Sequence, residues 1–126
     1  MIARWAITAC LALAGCAPTP LVSPALVELM ARPAEKALLS GLRSYEDALY
    51  VDAERQLREA LSLGLQSPRD RAAAHKHLAF VFCTSNRLAE CETEFRAARL
   101  ADPSFTLSKS EAGHPSWAQV YKRARP

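Results

Sequence analysis

His75, His77, Cys83 and Cys91 fall within one stretch of seventeen residues, HKHLAFVFCTSNRLAEC. Imidazole and thiolate together are what zinc binds. Two thiols alone make a redox pair or a staple between elements. The spacing narrows the choice, because Cys-x7-Cys is neither the redox Cys-x-x-Cys nor a zinc-site spacing. His75 and His77 stand two apart in a segment that reads as helix, roughly 200° around its axis, so one ion cannot face both. His75 and Cys83 can share a helical face, which leaves a metal site open on those two alone. The plainer reading is one partly buried histidine and one at the surface. A second constellation, Glu-Ala-Gly-His-Pro-Ser-Trp, offers an acid–histidine pair in Glu111 and His114. No suitable nucleophile accompanies it: Ser116 falls inside the helix that Pro115 is expected to open, and Gly113 reads as a tight turn. Both residues therefore read as caps or partners at that helix's start, and no catalytic residue is assigned.

What the cysteines do depends on the compartment. The chain begins MIARWAITACLALAGCAPTP, and Arg4 is its only charge before Glu28. The apolar run from Trp5 to Ala14 is about half the roughly 20 residues a membrane-spanning helix needs. A basic start, a short apolar core and small residues after it mark a secretory signal. Leu13-Ala14-Gly15-Cys16 fits the bacterial lipobox at all four positions, the motif whose cysteine takes a diacylglycerol and becomes the new N-terminus. Residues 1–15 thus read as a lipoprotein signal peptide, Cys16 as the lipidation site, and 16–24, with three prolines, as a tether. An ordinary cleaved signal with an incidental cysteine is the alternative. Several acyl chains, at ~0.8 kcal/mol per buried methylene, hold a protein stably. Ala17 stands where aspartate would favour inner-membrane retention in enteric-type bacteria, and resemblance to that sorting rule implies the outer membrane, facing the periplasm. Cys10 leaves with the signal, so Cys83 and Cys91 remain as an even pair in an oxidising space.

The charges exclude other classes. Sixteen basic and 13 acidic residues alternate in sign, with no basic block interleaved with aromatics, so nucleic-acid binding has no support. No later apolar run is long enough to span a bilayer.

Residues 25–126 read as one helical domain. Ser23 and Pro24 open a first helix, which Pro33 breaks. The segments AEKALLSGLRSYED and LYVDAERQLREALSLGL follow, the second with Ala53, Leu57, Ala60 and Leu61 in helical period and Gly64 as its cap. Ser67-Pro68-Arg69-Asp70 carries the signature of a helix start, for AAAHKHLAFVFCTS. Asn86 suits a left-handed turn into RLAECETEFRAARLA, which Asp102-Pro103 ends. SFTLSKSEAGH reads as a loop. Trp117, Val120, Tyr121 and Ala124 give a last amphipathic helix at about 115–125. No alternating strand pattern exceeds four residues, so the fold class is all-α.

The helices come in pairs with a period. With Pro103 as closing proline, Leu78, Ala79, Phe82, Cys91, Phe95 and Ala98 fall on the marked positions of a 34-residue tetratricopeptide repeat, cysteine replacing alanine once. Tyr50, Ala53, Leu57 and Ala60 repeat its second half upstream, with Gly41 at a small position. This pattern resembles two tetratricopeptide-like hairpins, at about 34–65 and 72–103. Small residues at the crossings let antiparallel helices approach closely. Two repeats leave an apolar end that needs a cap, here the Trp117 helix. A hairpin brings Cys83, near one helix's end, and Cys91, about one turn into its partner, within the roughly 7 Å a bridge allows, so a disulfide is expected.

The string AHKHLAFVFCTSNRLAECETEFRAARLADPSFTLSKSEAGHPSW, with the lipobox, resembles the TssQ-type lipoproteins associated with bacterial type VI secretion. That resemblance covers residues 74–117 and implies an accessory, non-enzymatic role beside the envelope-spanning secretion complex, with protein partners and no cofactor. Resemblance to tetratricopeptide proteins also implies a groove lined by the first helix of each repeat, here Leu38, Leu42, Tyr45, Lys76 and Phe80; with only two repeats, about half of these are expected to be core, covered by the N-terminal helix or the cap. No small-molecule substrate is indicated. A pilotin-like role, carrying a secretin to the outer membrane, is the alternative, and thiol or metal chemistry at His75, Cys83 and Cys91 the enzyme-class rival.

Overall fold

The computed structural model describes residues 23–125, so the signal, the lipobox Leu13-Ala14-Gly15, Cys16 and the tether to residue 22 lie outside it. The described residues form seven helices: α1 (Pro24–Met30), α2 (Pro33–Glu46), α3 (Tyr50–Leu63), α4 (Pro68–Thr84), α5 (Leu88–Ala101), α6 (Lys109–Ala112) and α7 (Ala118–Arg123). No strand occurs among them, and no helix is long and apolar enough to cross a membrane. The all-α fold of helical hairpins is as the periodicity implies.

Each hairpin follows from one stripe of small and large apolar residues. α2 buries Ala34, Leu38, Gly41 and Ser44, and α3 buries Ala53, Leu57 and Ala60 against it. α5 repeats the α3 stripe with Cys91, Phe95 and Ala98. At Gly41 α2 and α3 are so close that a Cβ there would lie 2.7 Å from Leu57 Cγ. The buried Ser44 hydroxyl donates to Gln56 Oε1 at 2.7 Å, so its burial costs no unmade hydrogen bond. α4 is buried over most of its circumference, from Leu78 through Cys83, because it is the central rod against which the neighbouring elements pack.

The two hairpin turns are built alike, 38 residues apart. Ala48 (φ 59°) and Asn86 (φ 60°) both take the left-handed conformation. In the first turn Leu49 N–H donates to Ser44 O at 2.8 Å, and in the second Arg87 N–H donates to Phe82 O at 2.7 Å. These are the bonds of a Schellman cap. Asparagine signals the second turn; alanine at 48 gives no such signal.

Between the hairpins the link is short and fixed. Gly64 (φ 90°) ends α3, and Ser67 Oγ caps α4 by accepting from Asp70 N–H at 3.2 Å. Leu65 is buried, and Arg71 donates from one nitrogen to the carbonyls of Leu65 and Gln66, at 2.8 and 2.9 Å. Arg87 adds a second tie: its guanidinium lies 4.2 Å above the Phe82 ring and donates to Glu54 of α3 at 2.7 Å.

The chain after α5 differs from the expected loop and helix. Ser108 and Glu111 form a capping box that starts the one-turn α6 inside the segment expected as loop. Residues 115–117 make a turn, and the last helix begins at Ala118, three residues beyond the expected Pro115. Gly113 has φ −89°, which any residue adopts, so no conformational need for glycine exists there.

Candidate functional site

The face formed by α2 and α4 is where a groove is expected. Of its five expected lining residues, Leu38 belongs to the core instead, packed with Ala34 and Leu57. Phe80 is likewise buried. Trp117 stacks on it with ring centroids 4.0 Å apart, and His114 stacks on Trp117 at 3.8 Å. Lys76 is committed too: Nζ donates to Glu111 Oε1 at 2.8 Å and sits 5.7 Å from the Phe80 ring. The chain's own C-terminal segment therefore fills the α4 half of the expected groove. Two repeats leave an apolar end, and here the cap folds over the inner face as well.

Residues 107–124 are held down by side chains with specific partners. Trp117 Nε1 donates to the Glu111 carbonyl at 2.7 Å, and the Tyr121 hydroxyl accepts from Leu107 N–H at 3.1 Å. Tyr121 meets the Phe95 ring edge-on at 5.2 Å. Glu111 and His114 do not pair through their side chains. The Glu111 carboxylate takes Lys76 and Ser108 N–H, while His114 Nδ1 accepts from Ser116 N–H at 3.2 Å. Partial burial pushes the Glu111 carboxyl up, but the Lys76 ammonium and the Ser108 N–H outweigh it and leave the net shift downward. The acid–histidine motif is thus the latch of the C-terminal segment.

What stays open is the part around Tyr45. Leu42 and Tyr45 are half-buried on α2, and the Tyr45 ring packs against His77 (5.2 Å), Tyr50 (5.8 Å) and Phe80 (6.1 Å). Burial pushes the Tyr45 phenol up, helped by the nearby Tyr50 and Glu111, so it remains a neutral hydroxyl. His77 Nδ1 donates to Ala73 O at 2.8 Å, and burial pushes the imidazole's pKa down despite that bond. The face is therefore an uncharged aromatic ledge with phenol and imidazole edges. It suits apolar or aromatic side chains that carry one hydrogen-bonding group.

Tyr45 and Leu42 lie on this face as their spacing implies, whereas His77 and Tyr50 join it outside the expected set. His77 is three residues before Phe80 and shares its face by helical spacing, so that signal was present. Tyr50 reaches the ledge only through the Ala48 turn, which alanine does not announce.

The remaining reactive residues have partners of their own. His75 Nδ1 bonds Glu94 Oε2 at 2.6 Å, tying α4 to α5. Cys83 and Cys91 form a disulfide with Cα atoms 5.3 Å apart, beside the α4–α5 turn. The pair left open for a metal, His75 and Cys83, is thus divided between a carboxylate and a bridge. Among the described residues no three metal-ligating side chains cluster. No protein-family model, curated protein or solved structure matches the chain.

Proposed function

We propose that the protein is a tetratricopeptide-like docking module, lipid-anchored through Cys16 to the periplasmic face of the outer membrane. In this reading it serves as an accessory subunit of an envelope machine, and resemblance to the TssQ-type lipoproteins favours the type VI secretion system. The observation that carries the reading is the half-open ledge of Leu42, Tyr45, Tyr50 and His77, braced from behind by a stapled hairpin and a latched C-terminal segment. A preorganised aromatic surface of this kind accepts a partner side chain with little ordering cost on its own side. The reactive side chains elsewhere on α4 and α5 are engaged, His75 with Glu94, Lys76 with Glu111 and Cys83 with Cys91, which supports binding over catalysis.

The test is a photo-reactive side chain at Leu42, cross-linked in living cells, with and without Tyr45→Ala. One discrete cross-linked protein from the secretion machinery, lost in the variant while folding is kept, is the expected result. An unchanged cross-link pattern would discredit the ledge. Phe80→Ala is unsuitable, since Phe80 lies beneath Trp117 and its loss would unfold the site.

A further inference from the structure

The hairpin turns at Ala48 and Asn86 lie at one end of the bundle. Its other end carries the starts of α2 and α4 and the ends of α3 and α5. The α1–α2 link belongs to this second end, where Ala31 and Arg32 share a cleft with Leu63 and Gly64. There too Arg96, Arg99, Leu100, Pro103, Ala124 and Arg125 line an open cleft of about 460 Å³.

That cleft holds three guanidinium groups and no carboxylate. Glu92 pairs with Arg96 and reaches Arg123 at 3.5 Å. Among the described residues no carboxylate pairs with Arg99 or Arg125. Arg99 is nevertheless fixed, donating to Ala124 O at 2.7 Å and lying 4.8 Å from the Tyr121 ring. Arg125 lies 5.6 Å from the same ring. Beside them Leu100 is 85% exposed. A cationic cluster in which two of three guanidinium groups have no carboxylate partner, set around a protruding leucine, is what a surface needs to meet phosphate headgroups and reach the acyl boundary beneath them.

We propose that this end of the bundle is a membrane-orienting face that rests on anionic phospholipid. The geometry of attachment favours lipid over an acidic protein. The α1–α2 link borders this end, and the seven residues of α1 with those between Cys16 and Pro24 together span under about 40 Å even when the latter are fully extended, so the anchor holds this end close to the bilayer. The orientation rests on the Cys16 anchor proposed above; the affinity for headgroups does not. With the basic end down, the hairpin-turn end points away from the bilayer.

The buried core runs from Ala34 to Ala124, so a chain beginning at residue 16 with Cys16→Ser keeps all of it and carries no lipid. In its oxidised form it is sedimented with vesicles of phosphatidylcholine, alone or mixed with phosphatidylglycerol. Binding to the mixed vesicles only is expected, and it should vanish near 1 M salt, where screening shortens to about 3 Å. Arg99→Glu with Arg125→Glu should weaken binding at least about tenfold. Leu100→Ser, on an exposed side chain that cannot disturb the fold, should weaken it by about threefold to tenfold. Arg43→Glu, toward the opposite end, should leave it unchanged. Equal binding to both vesicle types, no binding at low salt, or full binding by both cleft variants would overturn the proposal. So would tighter binding to polyglutamate than to the mixed vesicles, which would make the cleft a protein-docking site. Palmitate labelling of the native chain tests the anchor separately: its failure would remove the Cys16 reading and leave the vesicle result standing.

Discussion

A methyl group at position 41 would press into a fully buried leucine. The Cβ of Gly41→Ala would lie 2.7 and 2.8 Å from two Leu57 side-chain carbons and 3.1 Å from its backbone nitrogen. Alanine gains about 0.5–1 kcal/mol in helix propensity, whereas overpacking a close crossing costs about 1–3 kcal/mol. Crowding wins, and urea unfolding should show a net loss of about 1–2 kcal/mol. Ala48 has the opposite sign. It bears a left-handed φ of 59° where the matching turn carries Asn86, so Ala48→Asn should raise stability by about 0.5–1 kcal/mol. His77 predicts a pH dependence. Burial lowers its pKa, so below about 6.5 the unfolded chain binds a proton that the folded chain refuses. Stability therefore falls as pH drops through that value toward the lowered folded pKa, and His77→Phe should flatten the slope. Glu111 acts in a separate window. Its net shift is downward, so its contribution is present above about 4.5 and is lost as pH falls below it. The small crossing residues Gly41, Ala53 and Ala60 are legible in the sequence because close helix approach allows little else. Which of the expected groove residues end up covered is not, since period alone does not say that Leu38 packs into the first hairpin's core or that a later segment crosses Phe80.

At the scale of elements, hairpin boundaries are the most legible feature. Ser67-Pro68, Gly64 and Asp102-Pro103 each act where their chemistry says they should. The Cys83–Cys91 staple closes so short a loop that reduction should cost about 2–3 kcal/mol on chain-entropy grounds. Thermal melting with and without reductant, beside Cys83→Ala with Cys91→Ala, checks this. The reduced chain and the double variant should melt together, because the bridge acts mainly on the unfolded state. The short α6 is missed by periodicity, which needs several turns, yet Ser108 and Glu111 spell a capping box three residues apart. Glu111→Ala removes the Lys76 partner and the cap at once. It should cost about 1–3 kcal/mol, with Lys76→Ala in that background adding little.

For the whole molecule the lesson concerns residues 104–125. Composition and spacing place two hairpins and a cap, but the cap's route over Phe80 is a long-range fact that no local pattern encodes. Trp117, Val120, Tyr121 and Ala124 are as buried as the hairpin cores. Ending the chain at Ser104 should therefore abolish cooperative melting and produce binding of an apolar dye, the mark of uncovered Phe80 and Phe95.

The tether between the hairpins has a mechanical corollary. Leu65 is sunk into the core and Arg71 grips the carbonyls on either side of it, so this stretch is no hinge despite its glycine. Proteases that seek supple connectors should spare it, and slowly exchanging amides in α3 and α4 should open together, in a single global event. A load on the ledge would then be passed through both hairpins as one body.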